Sequence, residues 1–375
     1  MKTADLKVMV VDDSSVVRHV IKELLLEAEG IASVETAPNG KLALRKLERY
    51  NADVVTLDVE MPEMDGLSTL SALMRQAPRP VIMLSAHTTD GATKTIRALE
   101  LGAMDFVTKP EGRLSRDLET VGNELVDKIM AVAGSRNIAR CAVTPQLRLT
   151  SHDLSDVEQL KDLVSVIALG ASTGGTEVLR TLLSALPRSF PLPILIVQHM
   201  PKTFTGAFAR RLDELTDIVV LEAAHHDVLV PGRALVAPGH RHMVIRGDLD
   251  AAFVELSDAP PVSGHRPSVD VLFRSVCDIF GAFACAGLLT GMGRDGAAGL
   301  SALHHAGALT IAQSRASCAV FGMPRVAIEM GAATMVEDID GITNLLANPS
   351  RLAQVLRRNV LGRGGEHRRE GGHVG

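Results

Sequence analysis

The chain of 375 residues carries 39 Lys and Arg against 44 Asp and Glu, a formal charge of -5 with neutral histidines. That length suffices for two domains with separate cores, and the charge gives no general basis for nucleic-acid binding, which needs a localised basic surface. Four cysteines without CxxC spacing, Cys141, Cys277, Cys285 and Cys318, argue against a disulfide scaffold or a cysteine metal site and for reduced thiols in a cytosolic chain.

The opening "MKTADLKVMVVDDSS" lacks the apolar core and cleavage region of a signal peptide. No later apolar run reaches the roughly 20 residues that cross a bilayer, so a cytoplasmic chain without membrane insertion is expected. From there strand-like and helix-like patterns alternate. "KVMVVDD" precedes a helical pattern at 15–29, "ADVVTLDVE" one at 66–76 and "PVIMLSA" one at 90–101; "MDFVTKP" precedes one at 114–133. The alternation predicts a parallel α/β domain over 1–133.

Within it, Asp12 and Asp13 end the first strand and Asp58 ends another. Parallel packing brings such positions to the C-terminal edge of one sheet. Three carboxylates there suit a hard cation such as Mg²⁺, with Asp58 able to accept a phosphoryl group. Ser85 and Lys109, at later strand ends, have the hydroxyl and the charge to meet phosphoryl oxygens. Acidic strand ends also serve as solvated turns and helix caps, and the residues alone leave that open.

The segment 134–162 loses the alternation and mixes charge with turn formers, which predicts a linker. A second domain is expected over 163–355. Its strand candidates are "SVIALGA", "LPILIVQHM", "GRALVAPG", "RHMVIRG" and "GAFACAGLLTGM"; its helix candidates are "GTEVLRTLLSAL", "TFTGAFARRLDEL" and "DGAAGLSALHHAG". The Arg- and Gly-containing stretch 356–375 is expected to be a flexible tail.

Three strand ends in this domain carry chemistry. "GASTG" places Ser172 in a G-x-S-x-G turn between a strand and a helix, which suits a nucleophile and equally an N-cap or an anion-binding turn. His199 in "ILIVQHMP" can act as a base or sit as a satisfied structural histidine; His225, His226, His240 and His242 compete for the first role. Asp295 in "GMGRDG" can orient a histidine or cap a helix. The order Ser, His, Asp differs from that of the α/β-hydrolases, so that fold is not implied.

The combination "VVDDSSVVR", "TLDVEMPEMDG", "MLSAHT" and "DFVTKP" resembles a response-regulator receiver domain over about residues 6–125. The resemblance implies a doubly wound fold, phosphorylation of Asp58 by a histidine kinase, and Mg²⁺ bound by Asp12, Asp13 and Asp58. It also implies a switch through Ser85, Phe106 and Lys109, with a cis Lys109–Pro110 bond. With "ALGASTGG", "VQHMP", "VLVPGRALVAPGHRH", "SGHRPSVDVLFRS" and "LLTGMGRDGAAGL", the chain resembles the chemotaxis protein-glutamate methylesterase family. That likeness implies a C-terminal α/β methylesterase domain with a parallel sheet, needing no cofactor for hydrolysis. Ser172 is then the nucleophile, His199 the base and Asp295 its orienter, with backbone near Thr173 and Met292 facing the oxyanion.

The implied substrates are glutamate γ-methyl esters, and certain glutamines, on methyl-accepting chemotaxis receptors. The kinase, a receptor C-terminal tether and recruitment to membrane receptor arrays complete the expected partnerships. His265, Arg266, Ser268 and Asp270 are expected at the substrate entrance, or alternatively in a solvated loop and helix cap. Phosphorylation is expected to shift a closed two-domain population toward an open one. A noncatalytic, phosphorylation-responsive adaptor for receptors or signalling proteins is the alternative function.

Overall fold

The computed structural model describes residues 5–86, 88–109, 115–133 and 160–370, with side chains described over 121–133 and up to 359 in the two helices that border the undescribed segments. The chain divides into two compact units, Met1–Ala142 and Val143–Gly375. Most of the expected linker, the residue Pro110 and the cysteine Cys141 lie outside the described residues.

In the first unit the strands are β1 (Leu6–Val11), β2 (Ile31–Ala37), β3 (Val54–Asp58), β4 (Val81–Ser85) and β5 (Asp105–Thr108). The helices are α1 (Ser15–Glu27), α2 (Gly40–Leu47), α3 (Gly66–Gln76), α4 (Thr89–Glu100) and α5 (Ser115–Val132). The strands form one parallel sheet in the order β2-β1-β3-β4-β5. β3 and β4 are buried throughout because helices cover both faces of the sheet, which is why their sequences are mainly apolar without a polar alternation. Side chains of Ser14, Asn39, Asp65 and Thr88 each accept a backbone N–H in the first turn of the helix that follows, fixing where α1 to α4 begin. The chain reverses direction across the sheet between β1 and β3, so a crevice opens at their C-terminal ends.

The second unit has β6 (Val166–Ala171), α6 (Gly175–Ser184), β7 (Ile194–Gln198), α7 (Lys202–Leu215), β8 (Val219–Glu222), β9 (Arg233–Val236), β10 (His242–Arg246) and β11 (Phe253–Ser257). It continues with α8 (Val269–Phe280), β12 (Ala284–Leu288), α9 (Ala297–His305), β13 (Leu309–Gln313), α10 (Met323–Glu329), β14 (Met335–Glu337), α11 (Ile339–Leu346) and α12 (Pro349–Glu370). Seven strands make a parallel sheet in the order β14-β13-β12-β6-β7-β9-β8, and β10 and β11 pair antiparallel beside it. Val166, Ala168, Val197, Leu288, Phe273 and Leu300 lie in the main buried cluster, where α8 and α9 cover the sheet. Each large aliphatic or aromatic side chain fully buried there contributes about 1.5–3 kcal/mol. β6 is the central strand, flanked by β7 on one side and β12 on the other. The stretch expected as a tail from 356 instead continues α12 to Glu370, and Leu352, Ala353 and Leu356 anchor the start of that helix by burial.

Candidate active site and phosphoacceptor cluster

Ser172, His199 and Asp295 follow the ends of β6, β7 and β12, three adjacent strands. Ala171 pairs with Gln198 at the end of the β6–β7 ladder, and the His199 N–H donates to the Ala171 carbonyl at 3.1 Å, so Ser172 and His199 leave the sheet side by side. The Ser172 N–H donates to the Thr290 carbonyl at 3.0 Å, and the Ser172 carbonyl accepts from the Gly175 N–H at 2.8 Å and from Gln198 Nε2 at 2.9 Å. These bonds tie the serine turn to β7 and to the loop after β12. The N-cap of α6 is Gly174, in the left-handed region at φ 77°, so the Ser172 hydroxyl is not that helix's cap. Gly291 packs directly on the turn: a Cβ there would stand 2.7 Å from Ser172 Cβ and 2.4 Å from Met323 Sδ.

His199 Nε2 lies 2.8 Å from Asp295 Oδ2. Asp295 also accepts from Ser268 Oγ at 2.7 Å, the Val269 N–H at 2.7 Å, the Asp270 N–H at 3.1 Å and the Gly296 N–H at 3.0 Å. Burial pushes the Asp295 carboxyl up, but the bond and charge of His199 and the donors from Ser268 and Val269 outweigh it, leaving the group below the usual carboxylate range. Its seat at the N-terminus of α8 adds the favourable end of the helix dipole. An ionised Asp295 takes the Nε2 proton as a hydrogen bond, which places the imidazole lone pair on Nδ1. That nitrogen is buried and, among the described residues, has no hydrogen-bond partner. An imidazole so held has one free basic nitrogen at the strand edge where Ser172 sits.

The residues expected at the substrate entrance take different places around His199 and Asp295. His265 stacks on the His199 ring, centroids 3.8 Å apart and planes 11° from parallel. Arg266 is exposed and donates to the carbonyls of Asp258 and Ala259. Ser268 and Asp270 are buried; Ser268 caps α8 and donates to Asp295, while Asp270 accepts the Gly299 N–H at 2.7 Å. Thr173 is buried with its carbonyl bonded by Thr290 Oγ1 at 3.0 Å, and Met292 follows Gly291 in the loop after β12. Gln198 and Thr290 hold the serine turn; both lie within the segments VQHMP and LLTGMGRDGAAGL but are not among the expected site residues, and a polar residue closing an apolar strand is the signal that marks them.

In the first unit, ligand oxygens of Asp12, Asp13 and Asp58 lie within 4.8 Å of one another. Lys109 Nζ reaches Asp12 Oδ2 and Asp58 Oδ2, both at 2.7 Å. Two buried carboxylates and one exposed one facing a crevice are a donor set that fits a hard divalent cation. Ser85 is buried and bonded to Thr95 Oγ1 at 2.7 Å, so its hydroxyl is engaged with α4. Phe106 is buried, with Lys128 Nζ 5.5 Å from its ring centre.

Burial raises the Asp58 carboxyl to about 6, against the pull of Lys109. Its folded value therefore exceeds the unfolded one of 3.8, so the stability it contributes is present below pH 4 and is lost as pH rises through about 6. Asp58→Asn is expected to stabilise the first unit by on the order of 2 kcal/mol at pH 7 in chelating buffer, with the advantage vanishing near pH 4. Tyr50 is the sole tyrosine in a chain without tryptophan. Its fluorescence during urea unfolding reports this unit alone; an unchanged midpoint at pH 7 would contradict the assignment.

A family model described as CheB methylesterase matches residues 167–346, and one described as response regulator receiver domain matches residues 8–118. The chain is 45% identical over 364 residues to protein-glutamate methylesterase/protein-glutamine glutaminase 2 of Koribacter versatilis (strain Ellin345), covering 95% of this chain and 99% of that protein. It is 43% identical over 352 residues to the protein-glutamate methylesterase/protein-glutamine glutaminase of Salmonella typhi, covering 94% and 99%. Among solved structures, the Thermotoga maritima CheB methylesterase catalytic domain is 35% identical, with a TM-score of 0.48, covering 49% of this chain and 97% of that one.

Proposed function

The chain belongs to the CheB family of protein-glutamate methylesterases/protein-glutamine glutaminases that carry a response-regulator receiver domain, and from that premise we propose that Ser172, His199 and Asp295 perform the hydrolysis under control of Asp58. The activity is release of methanol from glutamate γ-methyl esters of chemoreceptors, with ammonia released from certain glutamines. The observation that carries the residue assignment is the 2.8 Å bond from His199 Nε2 to Asp295 beside the Ser172 turn.

Neutral His199 takes the Ser172 proton on Nδ1 as Oγ attacks the ester carbonyl. The tetrahedral oxyanion forms against backbone donors near Thr173 and Met292. The Nδ1 proton then passes to the departing methoxide, giving methanol and an acyl-serine. Water gives a proton to His199 and attacks the acyl carbonyl; the returning proton restores Ser172 and leaves a glutamate carboxylate. Asp295 stays ionised throughout and balances the imidazolium.

In the receiver, Asp58 accepts the phosphoryl group from a histidine kinase, and Lys109 offers its ammonium to the new oxygens. A Mg²⁺ ion held by Asp12, Asp13 and Asp58 would supply positive charge against the phosphoryl group. A receptor C-terminal tether and recruitment to receptor arrays fit an enzyme whose substrate is a receptor; among the described residues no helix is long and apolar enough to cross a membrane. The test is methanol release from methylated receptor fragments with and without a small phosphoryl donor and Mg²⁺. Phosphorylation is expected to raise the rate in the native chain and to leave Asp58→Ala at its basal rate. An unchanged native rate at confirmed Asp58 phosphorylation would overturn the control, and absence of methanol release at every condition would overturn the activity.

A further inference from the structure

Behind Asp295 lies a histidine that the hydrolytic steps do not use. His242, the first residue of β10, is fully buried. Its Nδ1 accepts the Ser268 N–H at 3.1 Å, and its Nε2 faces the Pro260 carbonyl at 3.1 Å. A nitrogen that accepts an amide N–H carries a lone pair, so Nε2 holds the proton and donates it, and the ring is neutral. His242 therefore ties together the two ends of the loop between Pro260 and Ser268. That loop carries His265, stacked on His199 and joined to Val262 by paired backbone bonds of 3.0 Å. Its last residue, Ser268, gives its hydroxyl to Asp295.

We propose that His242 is a positioning residue for the esterase, a neutral clamp that closes the 260–268 loop so that Ser268 and the first turn of α8 hold Asp295, and His265 holds the His199 ring. The inference rests on the esterase reading above. Five donors converge on the two Asp295 oxygens, and three of them, Ser268 Oγ and the N–H groups of Val269 and Asp270, lie within two residues of the amide that His242 accepts. A shift of that amide moves all three together, and displacement of a catalytic group by about 1 Å costs on the order of 10²-fold. Arg266 also draws the loop together, through bonds to the Asp258 and Ala259 carbonyls, but from its exposed side and without reaching the Ser268 amide. The buried imidazole is worth its desolvation only because both ring nitrogens are bonded.

The test compares His242→Phe, His242→Asn and Ser268→Ala in the full chain, by steady-state methanol release from methylated receptor fragments. His242→Phe keeps the ring volume and loses the acceptor; kcat is expected to fall by about 10- to 100-fold, with KM within about twofold because no substrate contact is removed. Asn presents its Oδ1 close to the place of Nδ1 and should restore kcat to within about threefold of the native value. Ser268→Ala should lower kcat in the same way. Recovery by Asn separates an acceptor role from mere filling of the core. If His242→Phe fails to fold, the Asn and Ser268→Ala arms decide the matter. His242→Asn as impaired as His242→Phe, or Ser268→Ala at native kcat, overturns the clamp. A Ser172→Ala control without activity confines such a failure to this inference, whereas an active control would sink the esterase reading itself.

Discussion

Asp295→Asn is expected to lower kcat for methanol release by about 10⁴-fold, the loss produced by the equivalent change in the chymotrypsin-type triad. The reason lies in which imidazole nitrogen carries the proton. Ionised Asp295 accepts at Oδ2 from His199 Nε2, so the lone pair stands on Nδ1. An amide presenting its NH₂ to Nε2 would reverse this, putting the proton on Nδ1 and leaving Ser172 without a base. The alternative orientation of the amide turns the NH₂ toward Ser268 Oγ and the Asp270 N–H, which now donate to Oδ1. Neither orientation satisfies both sides. The negative charge that balances imidazolium is lost in either case. The check is kcat against pH for a variant whose unfolding midpoint is also measured, since Asp295 is buried and the neutral amide removes charge-assisted bonds. A folded Asp295→Asn chain within tenfold of native kcat would remove Asp295 from the reaction.

Ser172→Ala is expected to abolish measurable hydrolysis, a loss on the order of 10⁶-fold by analogy with nucleophile removal in serine proteases, while leaving the unfolding midpoint near the native one. The hydroxyl is not the N-cap of α6, and the bonds that shape the turn are made by the Ser172 N–H and carbonyl, which alanine retains. Only the attacking oxygen leaves. The thermal or urea midpoint separates this from damage to the fold: an equal midpoint with no methanol release is the expected pair of results.

Much of this arrangement is legible in the sequence because parallel sheets export their chemistry to one edge. Asp12, Asp58, Ser172, His199 and Asp295 each stand at or just beyond the end of an apolar strand, where a polar residue has no packing reason to be. The strands buried on both faces, such as β4, β6 and β7, were equally readable as continuous apolar runs. β2, β8, β11, β13 and β14 lie outside the strand candidates read from the sequence. β2, β8 and β14 are sheet-edge strands and β11 belongs to a two-stranded ribbon, all with half-exposed or exposed residues that break the apolar pattern; β13 is buried throughout, but its short LTIAQ run follows directly on the helical pattern that ends at Gly307.

The supporting network was hidden for a different reason. His242 and Ser268 are 26 residues apart in sequence, Gln198 and Ser172 also 26, and Thr290 and Thr173 117. No local period links such partners; they meet because β6, β7 and β12 are neighbours and α8 lies across them. The same packing buries Ser268 and Asp270, which local polarity assigns to a surface loop.

Methanol release from a defined methylated receptor fragment decides whether Ser172 is the nucleophile of a glutamate methylesterase. Methanol and newly formed glutamate carboxylate are counted together for the native chain and for Ser172→Ala at matched folded concentration. The native chain is expected to yield one carboxylate per methanol, and Ser172→Ala neither product above the uncatalysed background. Methanol release by folded Ser172→Ala at the native rate would contradict it.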